Sequence, residues 1–334
     1  MNVLLTSAGR RSYMVHYFKK AIEMTGGGLV CAANSEKSPA LAVADLALIT
    51  PLIYDPSYIP CLLDFCRKKQ IDLLIPLFDI DLPVLSRNRE KFAQIGTTIV
   101  VSDLKGLKVC NDKWETVQFL KSRDLKTPKS WISAQQAADA MSKGEVKMLV
   151  VKPRWGMGSI GVFFAQEPDE VLLLGKLCER RIQASYLRYE STQTPEQGVI
   201  YQEYIQGQEY GMDVVCDLEG NLRAVWVRQK IAMRAGETDV ARMVRRPKIE
   251  EIGRRILLPG QIGNLDVDLI ERDGEYYLFD MNARFGGGYP FSHMAGADLP
   301  LALVAWAEGK QPAVGWDRVC TGEVFYKDIQ ICRV

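Results

Sequence analysis

The sequence predicts a protein of the mixed α/β and α+β classes, with a doubly wound parallel sheet at its N-terminus. Strand and helix patterns alternate over roughly the first 100 residues, as in strands joined by crossover helices. After Asn111 the pattern changes to a strand–glycine loop–strand unit followed by several consecutive strands. The chain of 334 residues is also too long for one hydrophobic core, so we expect two or three domains.

Short apolar runs predict strands, and apolar residues at helical spacing predict helices. In the N-terminal region these are a strand and turn at residues 2–9, a helix at 12–24 ended by glycines 26–28, a strand at 29–34, a helix at 58–70, a strand at 71–78, a helix at 82–95 and a strand at 97–102. Ligands of such sheets bind outside the carboxyl ends of strands. Residues 7–11, Asp79 and Asp81 lie at such ends, either as substrate contacts or as ordinary turn and helix-capping residues.

The chain from residue 111 onward is predicted to contain more strands than helices. In order these are a capped helix at 111–128, the strand–loop–strand unit at 147–165, a weakly structured polar stretch at 180–198, strands at 198–205, 209–217 and 222–233, a helix at 246–262, a hairpin at 264–282 and a helix at 298–310. Asp273 followed by Gly274 is a strong signal for the turn of that hairpin.

Composition and charge exclude several classes of protein. The 42 basic and 41 acidic side chains nearly cancel, which argues against a nucleic-acid or anionic-membrane surface. No apolar run is long enough to span a bilayer, and the N-terminus lacks the basic region of a secretory signal. The eight cysteines form no Cys-x-x-Cys pair and there are only two histidines, so we expect no zinc site. A cytoplasmic protein with reduced, mostly buried thiols is expected.

Residues 156–161, Gly-Met-Gly-Ser-Ile-Gly, match the pattern G-x-G-x-x-G. In dinucleotide-binding proteins a helix follows these glycines, whereas here residues 162–165 predict a strand. A glycine loop between two strands forms a flap whose backbone amides fold over phosphates, and Lys152 before it reaches the same phosphates. The alternative is an ordinary hairpin with a mobile tip.

Acid, amide and guanidinium groups alternate at the end of the last predicted strand. Asp280, Asn282 and Arg284 project from one face, and Asp268 on the partner strand reaches that face across the hairpin. Two carboxylates and an amide oxygen suit magnesium bound to nucleotide phosphates, and the guanidinium suits a phosphoryl or acyl-phosphate group. Glycines 286–288 would let the backbone approach the reacting groups. The alternative is a surface ion pair between Asp280 and Arg284.

These segments occur in one order: Lys113, Lys152 with the flap, residues 201–213, residues 266–269 and residues 279–288. The series resembles the ATP-grasp superfamily, and most of all the stand-alone proteins related to one synthetase half of the carbamoyl-phosphate synthase large subunit. The resemblance implies a pre-ATP-grasp domain at residues 1–108 that carries the parallel sheet, followed by a two-lobed ATP-grasp fold. The small lobe with the flap would span residues 109–200, and the large lobe with the magnesium site residues 201–334.

By position, the resemblance also assigns roles to residues. Lys113 and Lys152 match the residues that grip the ATP phosphates, and Glu209 matches the acid that binds the ribose. The flap corresponds to Gly156, Gly158, Ser159 and Gly161. The adenine-binding link between the lobes corresponds to Gln202, Glu203, Tyr204 and Ile205. The magnesium ligands correspond to Asp268, Asp280 and Asn282, and the arginine near the transferred phosphoryl group corresponds to Arg284. Lys230, Arg234 and Arg242 are additional charged candidates. The family usually has glutamate where this chain has Asp280. The three additional candidates, Lys230, Arg234 and Arg242, are equally consistent with a solvated face.

The implied activity is ATP-dependent ligation, in which a carboxylate is activated as an acyl phosphate and joined to an amine. The implied cofactors are ATP and Mg²⁺, with two ions expected and Mn²⁺ as a substitute. The partners are small-molecule carboxylate and amine substrates, without nucleic acid or membrane, and the resemblance is compatible with a homodimer. His293 is either a local acid or base or a packed helix residue.

Three alternatives remain open from the sequence. The carboxylate could be bicarbonate or carbamate, as in the synthase family, although the chain is too short for two synthetase halves. A nucleotide-binding module without turnover is the second alternative, and the intact acidic strand pair argues against it. A nicotinamide oxidoreductase is the third, and it depends only on residues 156–161.

Overall fold

The structure, a computed structural model, describes residues 1–158, 160–191, 197–329 and 331–333. Within this part of the chain, no helix has both the length and the apolar character needed to cross a lipid bilayer.

The N-terminal region is a parallel sheet with the strand order β3-β2-β1-β4-β5. Its elements are β1 (Val3–Thr6), α1 (Ser12–Thr25), β2 (Val30–Asn34), α2 (Pro39–Val43), β3 (Leu46–Ile49), α3 (Tyr58–Lys69), β4 (Leu73–Pro76), α4 (Asp81–Arg87), α5 (Arg89–Ala93) and β5 (Thr98–Ile99). The predicted parallel sheet is confirmed. The half-exposed edge strand β3 was not predicted, and the helix predicted at 82–95 is divided at Asn88.

A smaller sheet follows, with the strand order β6-β9-β7-β8 and antiparallel pairing. The elements of this region are α6 (Leu104–Asn111), α7 (Lys113–Ser122), β6 (Ser130–Trp131), α8 (Ala134–Ser142), β7 (Leu149–Pro153), β8 (Phe163–Ala165), α9 (Pro168–Gln183), α10 (Leu187–Glu190) and β9 (Val199–Glu203). Helices α8 and α9 were not predicted, and α9 runs into the stretch expected to be weakly structured. Because β9 is bonded to β7, we propose that the small lobe extends to residue 203 rather than 200.

The third sheet is antiparallel, with the strand order β14-β13-β10-β11-β12-β15. The elements are β10 (Gln208–Cys216), β11 (Leu222–Arg234), β12 (Glu237–Met243), α11 (Pro247–Arg255), β13 (Gly263–Arg272), β14 (Glu275–Asn282), α12 (Tyr289–Met294), α13 (Leu299–Ala307) and β15 (Val324–Tyr326). The predicted hairpin is present as β13 and β14. Asp273 and Gly274 both have left-handed backbone angles, φ 55° and 76°, as a tight two-residue hairpin turn requires.

The apolar side chains pack into separate cores. Leu74 of the N-terminal sheet shares a core with Met212 of the large sheet, and Phe18 shares another with Phe285. The small lobe has its own core, which includes Leu149 and Val199. The N-terminal region and the large sheet therefore form one packed body, and the small lobe packs beside it as a second unit.

Candidate functional site

A cavity of about 420 Å³ lies between the small lobe and the large sheet. Twelve of the residues predicted from the sequence line it: Lys113, Lys152, Gly156, Gly158, Gln202, Glu203, Tyr204, Ile205, Glu209, Lys230, Asp268 and Asp280. Ser159 lies outside the described residues. After the glycines comes strand β8 and no helix, so the flap does not have the architecture of a dinucleotide fingerprint.

One part of the cavity is apolar. It is lined by Val150, Ile160, Val162, Phe164, Ile205, Met233, Ile270 and Phe279. The amides of Glu203 and Tyr204 already donate to the carbonyls of Lys129 and Met148, at 2.8 and 2.9 Å, so they are not free to bind a ligand. A flat heterocycle fits between these apolar side chains, next to the link that joins the two lobes. Sequence reasoning missed Ile270 and Phe279, although each lies two residues or fewer from a predicted metal ligand.

The other part of the cavity is charged, and its acids and lysines are paired. Asp268 and Asp280 are direct partners across β13 and β14. Lys230 Nζ lies 2.7 Å from Asp268 Oδ1, and Lys113 Nζ lies 3.0 Å from Asp280 Oδ1. Burial alone would raise the pKa of Asp280, but Lys113 and Lys152 outweigh it, so that pKa lies below its ordinary value. Asp280 is therefore ionised at neutral pH.

The charge of Lys152 is poorly stabilised by its surroundings. Burial and, next, the charge of Lys113 lower its pKa to about 8, although Asp280 and Asp268 act in the opposite direction. A triphosphate would supply Lys152 with an anionic partner, as Asp280 does for Lys113.

The donor set fits magnesium. In the described part of the chain, no three Asp, Glu, His or Cys side chains converge as a preformed metal cluster. A magnesium ion that arrives with a nucleotide takes most of its ligands from phosphate and water, and needs one or two carboxylates from the protein. Asp280 Oδ1 is buried and makes no hydrogen bond of good geometry to a described residue, although Lys113 lies close to it. Asp268 and Asp280 are therefore suited to hold the metal, with Asn282 beside them.

Five of the described residues that the resemblance assigns to the site lie outside the cavity lining: Gly161, Arg234, Arg242, Asn282 and Arg284. Asn282 donates to Asp280 Oδ2 at 3.3 Å, and Arg284 pairs with Asp79 at 2.8 Å. The side chain of Arg234 is 68% exposed and pairs with Asp239. Arg242, an additional candidate, donates to Gln229. His293 stacks on Tyr17 with ring centroids 3.6 Å apart, which agrees with a packed helix residue.

The carboxyl ends of β1 and β4 lie beside Arg284. Strand order reverses between these two neighbouring strands, which is where doubly wound sheets bind ligands. Both carboxylate oxygens of Asp81 already accept hydrogen bonds. Thr6, Ser7 and Tyr58 donate to them, at 2.5, 3.0 and 2.6 Å. Its role is therefore to hold the loop after β1.

Asp79 differs from Asp81 in its hydrogen bonding. Arg284 donates twice to Asp79 Oδ2, at 3.0 and 2.8 Å. The buried Oδ1 has no hydrogen-bond partner among the described residues. A buried acceptor without a donor is unfavourable, so this oxygen is suited to a donor group on a ligand.

A buried ionic network lies next to Asp268, on the same face of the large sheet, and the sequence patterns did not reveal it. Arg228, which is 1% exposed, donates to Asp213 at 2.6 Å and also to Asp266. Ser292 and Asn264 donate to the same Asp213, at 2.6 and 2.9 Å. The sequence offered one signal of this network: Asp266 and Asp268 are alternate residues of one strand, so both acids lie on the same face.

This network gives the glycine run a structural role. A Cβ on Gly288 would lie 2.1 Å from Arg228 Nε, and one on Gly286 would lie 2.1 Å from the Asp266 carboxyl carbon. At Gly287 the nearest atom would be 3.9 Å away, which is ordinary contact. Two of the three glycines therefore make room for buried ions, a reason different from the expected approach of backbone to the reacting groups.

We predict that Gly288→Ala lowers the free energy of unfolding by about 1–3 kcal/mol, because Arg228 is held by two carboxylates and cannot move aside. Gly287→Ala serves as the matched control and should change it by less than about 0.5 kcal/mol. Urea denaturation of both variants measures the difference. Equal stability of the two variants would contradict this role for Gly288.

The fold, with lysines and acids facing one cavity beneath a glycine loop, is that of a nucleotide-dependent enzyme. Residues 110–288 match the ATP-grasp domain, and residues 3–100 match the PylC-like N-terminal domain. The first match covers more than half of the chain, so the chain belongs to the ATP-grasp family. This confirms the family predicted from the order of the motifs.

Solved structures with the same fold include three ATP-grasp proteins. Biotin carboxylase from Campylobacter jejuni, in complex with β-γ-ATP, is 16% identical, with a TM-score of 0.72 over 97% of this chain and 74% of that one. N5-carboxyaminoimidazole synthetase from Staphylococcus aureus is 14% identical, with a TM-score of 0.68 over 93% and 78%. L-amino acid ligase from Bacillus licheniformis is 18% identical, with a TM-score of 0.70 over 91% and 74%. At these identities the likeness shows the fold.

Proposed function

We propose that this protein activates a small carboxylate with ATP and joins it to an amine. The observation that carries the proposal is that Lys113, Lys152, Asp268 and Asp280 face one cavity beneath the glycine loop. In this arrangement the lysines hold the triphosphate, and the apolar part of the cavity holds the adenine. Glu209, at the rim of the cavity, binds the ribose hydroxyls.

The acidic pair supplies the metal-binding part of the site. Asp268 and Asp280 would hold magnesium, two ions in the fully loaded site with Mn²⁺ as a substitute, and Asn282 would complete the donor set. When bound, the metal would neutralise the negative charge that develops on the transferred phosphoryl group. When the nucleotide binds, Lys230 and Lys113 exchange their carboxylate partners for phosphate oxygens.

The second substrate binds on the other side of Arg284, at the switch point between β1 and β4. The guanidinium of Arg284 orients the carboxylate that is phosphorylated. Asp79 Oδ1, which has no donor among the described residues, accepts a hydrogen bond from the incoming amine. The neighbouring Phe78 and Tyr186 rings, 5.8 Å apart and edge to face, form an apolar wall for the substrate.

The chemistry has two steps. A carboxylate oxygen attacks the γ-phosphorus, the bond from phosphorus to the ADP oxygen breaks, and ADP leaves. The amine nitrogen then attacks the acyl carbon, the bond from that carbon to the phosphate oxygen breaks, and the nitrogen loses a proton. Closure of the glycine loop excludes water, which would otherwise hydrolyse the acyl phosphate.

The similar structures support two versions of the carboxylate. One neighbour is named an L-amino acid ligase, and others are biotin carboxylases, one of them in complex with bicarbonate and MgADP. An organic carboxylate is our proposal, and bicarbonate is the alternative.

The buried, unpaired thiols of Cys31, Cys66 and Cys110 are compatible with a reducing, cytoplasmic compartment.

A screen of ADP release tests the proposed function. The protein with Mg²⁺ and ATP is offered amino acids, small carboxylic acids and bicarbonate, singly and in pairs with amines. We expect slow release with ATP alone and a clear rise with one carboxylate–amine pair. ATP binding without stimulation by any pair would favour the module without turnover. Stimulation by bicarbonate alone would favour the alternative carboxylate.

A further inference from the structure

Asp112 and Arg154 form a buried, two-pronged ion pair at the entrance to the flap. Arg154 Nε donates to Asp112 Oδ1 at 2.7 Å, and its Nη2 donates to Oδ2 at 2.8 Å. The two side chains are only 9% and 5% exposed. Paired donors of this kind fix both the distance and the relative orientation of the two groups.

The ion pair joins the two segments that carry the phosphate-binding lysines. Asp112 is the residue before Lys113, and it caps helix α7 by accepting from the amide of Trp114 at 3.0 Å. Arg154 follows Lys152 by two residues, at the end of β7. The amide of Lys113 also donates to the carbonyl of Arg154, at 3.1 Å. Each lysine is thus within two residues of the same buried contact.

Such a contact is needed because the two lysines repel each other. Lys113 and Lys152 are both buried and close enough for the charge of Lys113 to lower the pKa of Lys152. Before a triphosphate binds, the contact of Lys113 with Asp280 at 3.0 Å offsets this repulsion only in part, so the repulsion favours separation of α7 from β7. An ion pair of opposite charges beside them offsets that tendency without occupying the cavity.

We propose that Asp112 and Arg154 are positioning residues that hold Lys113 and Lys152 side by side before ATP binds. The inference rests on the proposed binding of ATP, and it assigns a role to two residues that do not line the cavity. The two lysine side chains then lose most of their conformational entropy during folding and not during binding. The affinity for the triphosphate is therefore higher.

The variant Asp112→Asn separates this role from the helix cap. Asparagine caps helices as well as aspartate does, but its amide cannot form the two-pronged ion pair. We expect the dissociation constant for ATP to rise about tenfold or more, as when a supporting contact of a binding site is lost. The dissociation constant for adenosine, which lacks phosphates, should change by less than about twofold. Isothermal titration calorimetry of both ligands measures the two constants.

Two further variants complete the experiment. Asp103→Asn is the matched control. Asp103 occupies the N-cap position of α6 and forms an ion pair with Arg89, with 3.0 Å between Arg89 Nη1 and Asp103 Oδ1. Neither residue lines the cavity. This variant should bind ATP as the wild type does. Arg154→Lys keeps the charge without the second prong and should weaken ATP binding to a smaller extent, which also tests the proposal if Asp112→Asn fails to fold.

The outcomes are distinct. Wild-type protein that does not bind ATP would refute the proposed function itself. Unchanged ATP binding in Asp112→Asn or Arg154→Lys, or an equal loss for ATP and adenosine, would overturn the positioning role while leaving the proposed function in place.

Discussion

Replacing Asp280 by asparagine should reduce magnesium-dependent ADP release by about 100-fold or more while the fold persists. The variant keeps the size of the side chain and removes the carboxylate that Lys113 contacts at 3.0 Å. Without this charge the site loses a hard anionic ligand for the metal, so the charge on the transferring phosphoryl group is less well neutralised. Initial rates at increasing magnesium concentration measure the effect, and circular dichroism checks the fold.

Glu275→Gln is the matched control for this experiment. Glu275 lies on the same strand, outside the cavity lining, and pairs with Lys126 in an exposed ion pair. Its loss should leave the rate unchanged, because exposed pairs of this kind contribute little. An Asp280→Asn variant with wild-type rates at all magnesium concentrations would rule out Asp280 as a metal ligand.

Replacing Lys152 by methionine should raise the dissociation constant for ATP by about 10- to 100-fold, since a charged hydrogen bond contributes about 1.5–3 kcal/mol. Methionine preserves the apolar stem of the side chain. Because burial of the ammonium group is unfavourable, the variant should be at least as stable as the wild type. Binding measured by calorimetry, together with urea denaturation, tests both expectations.

The same lysine predicts how ATP affinity depends on pH. In the folded protein the pKa of Lys152 is about 8, against an ordinary value of 10.5. Above pH 8 the ligand-free lysine loses its charge, so ATP affinity should fall between pH 8 and 10. The lowered pKa also means that the folded state binds fewer protons than the unfolded state between about pH 8 and 10.5. This group therefore makes the protein more stable as pH rises through that window.

Lys152→Met should lack the part of this pH dependence that comes from residue 152. A variant whose ATP affinity equals that of the wild type at pH 7 would remove Lys152 from the phosphate site. An identical decline in affinity above pH 8 in both proteins would assign the titration to another group.

Local patterns were sufficient for the elements that frame the site. The hairpin that brings Asp268 opposite Asp280 was predictable, because its turn contains Asp273 and Gly274 and its strands have alternating polar residues. The strand after the flap was also predictable from residues 162–165, and it separated this glycine loop from a dinucleotide fingerprint.

Elements with weak local signals were not predicted. β3 consists of only four residues, Leu46–Ile49, and so short an apolar run does not by itself distinguish a strand from a helix. α9 has a clear capping box at Glu167 and Glu170, but the charged residues near its C-terminal end resemble those of a loop. These omissions concern the surface of the fold more than the site.

The order of motifs along the chain was enough to predict the family and the lysines and acids that face the cavity, and the alternation of strand and helix patterns was enough to predict the parallel N-terminal sheet. The tertiary structure alone decided which charges are partners: Arg284 with Asp79, which is 205 residues away, Arg154 with Asp112, and Arg228 with both Asp213 and Asp266. It also distinguished Asp79 from Asp81. The physical reason is that helix and strand periodicity reports only which face a side chain occupies. The pairing of buried charges depends on which distant faces meet in the folded chain, because desolvated ions must find partners there.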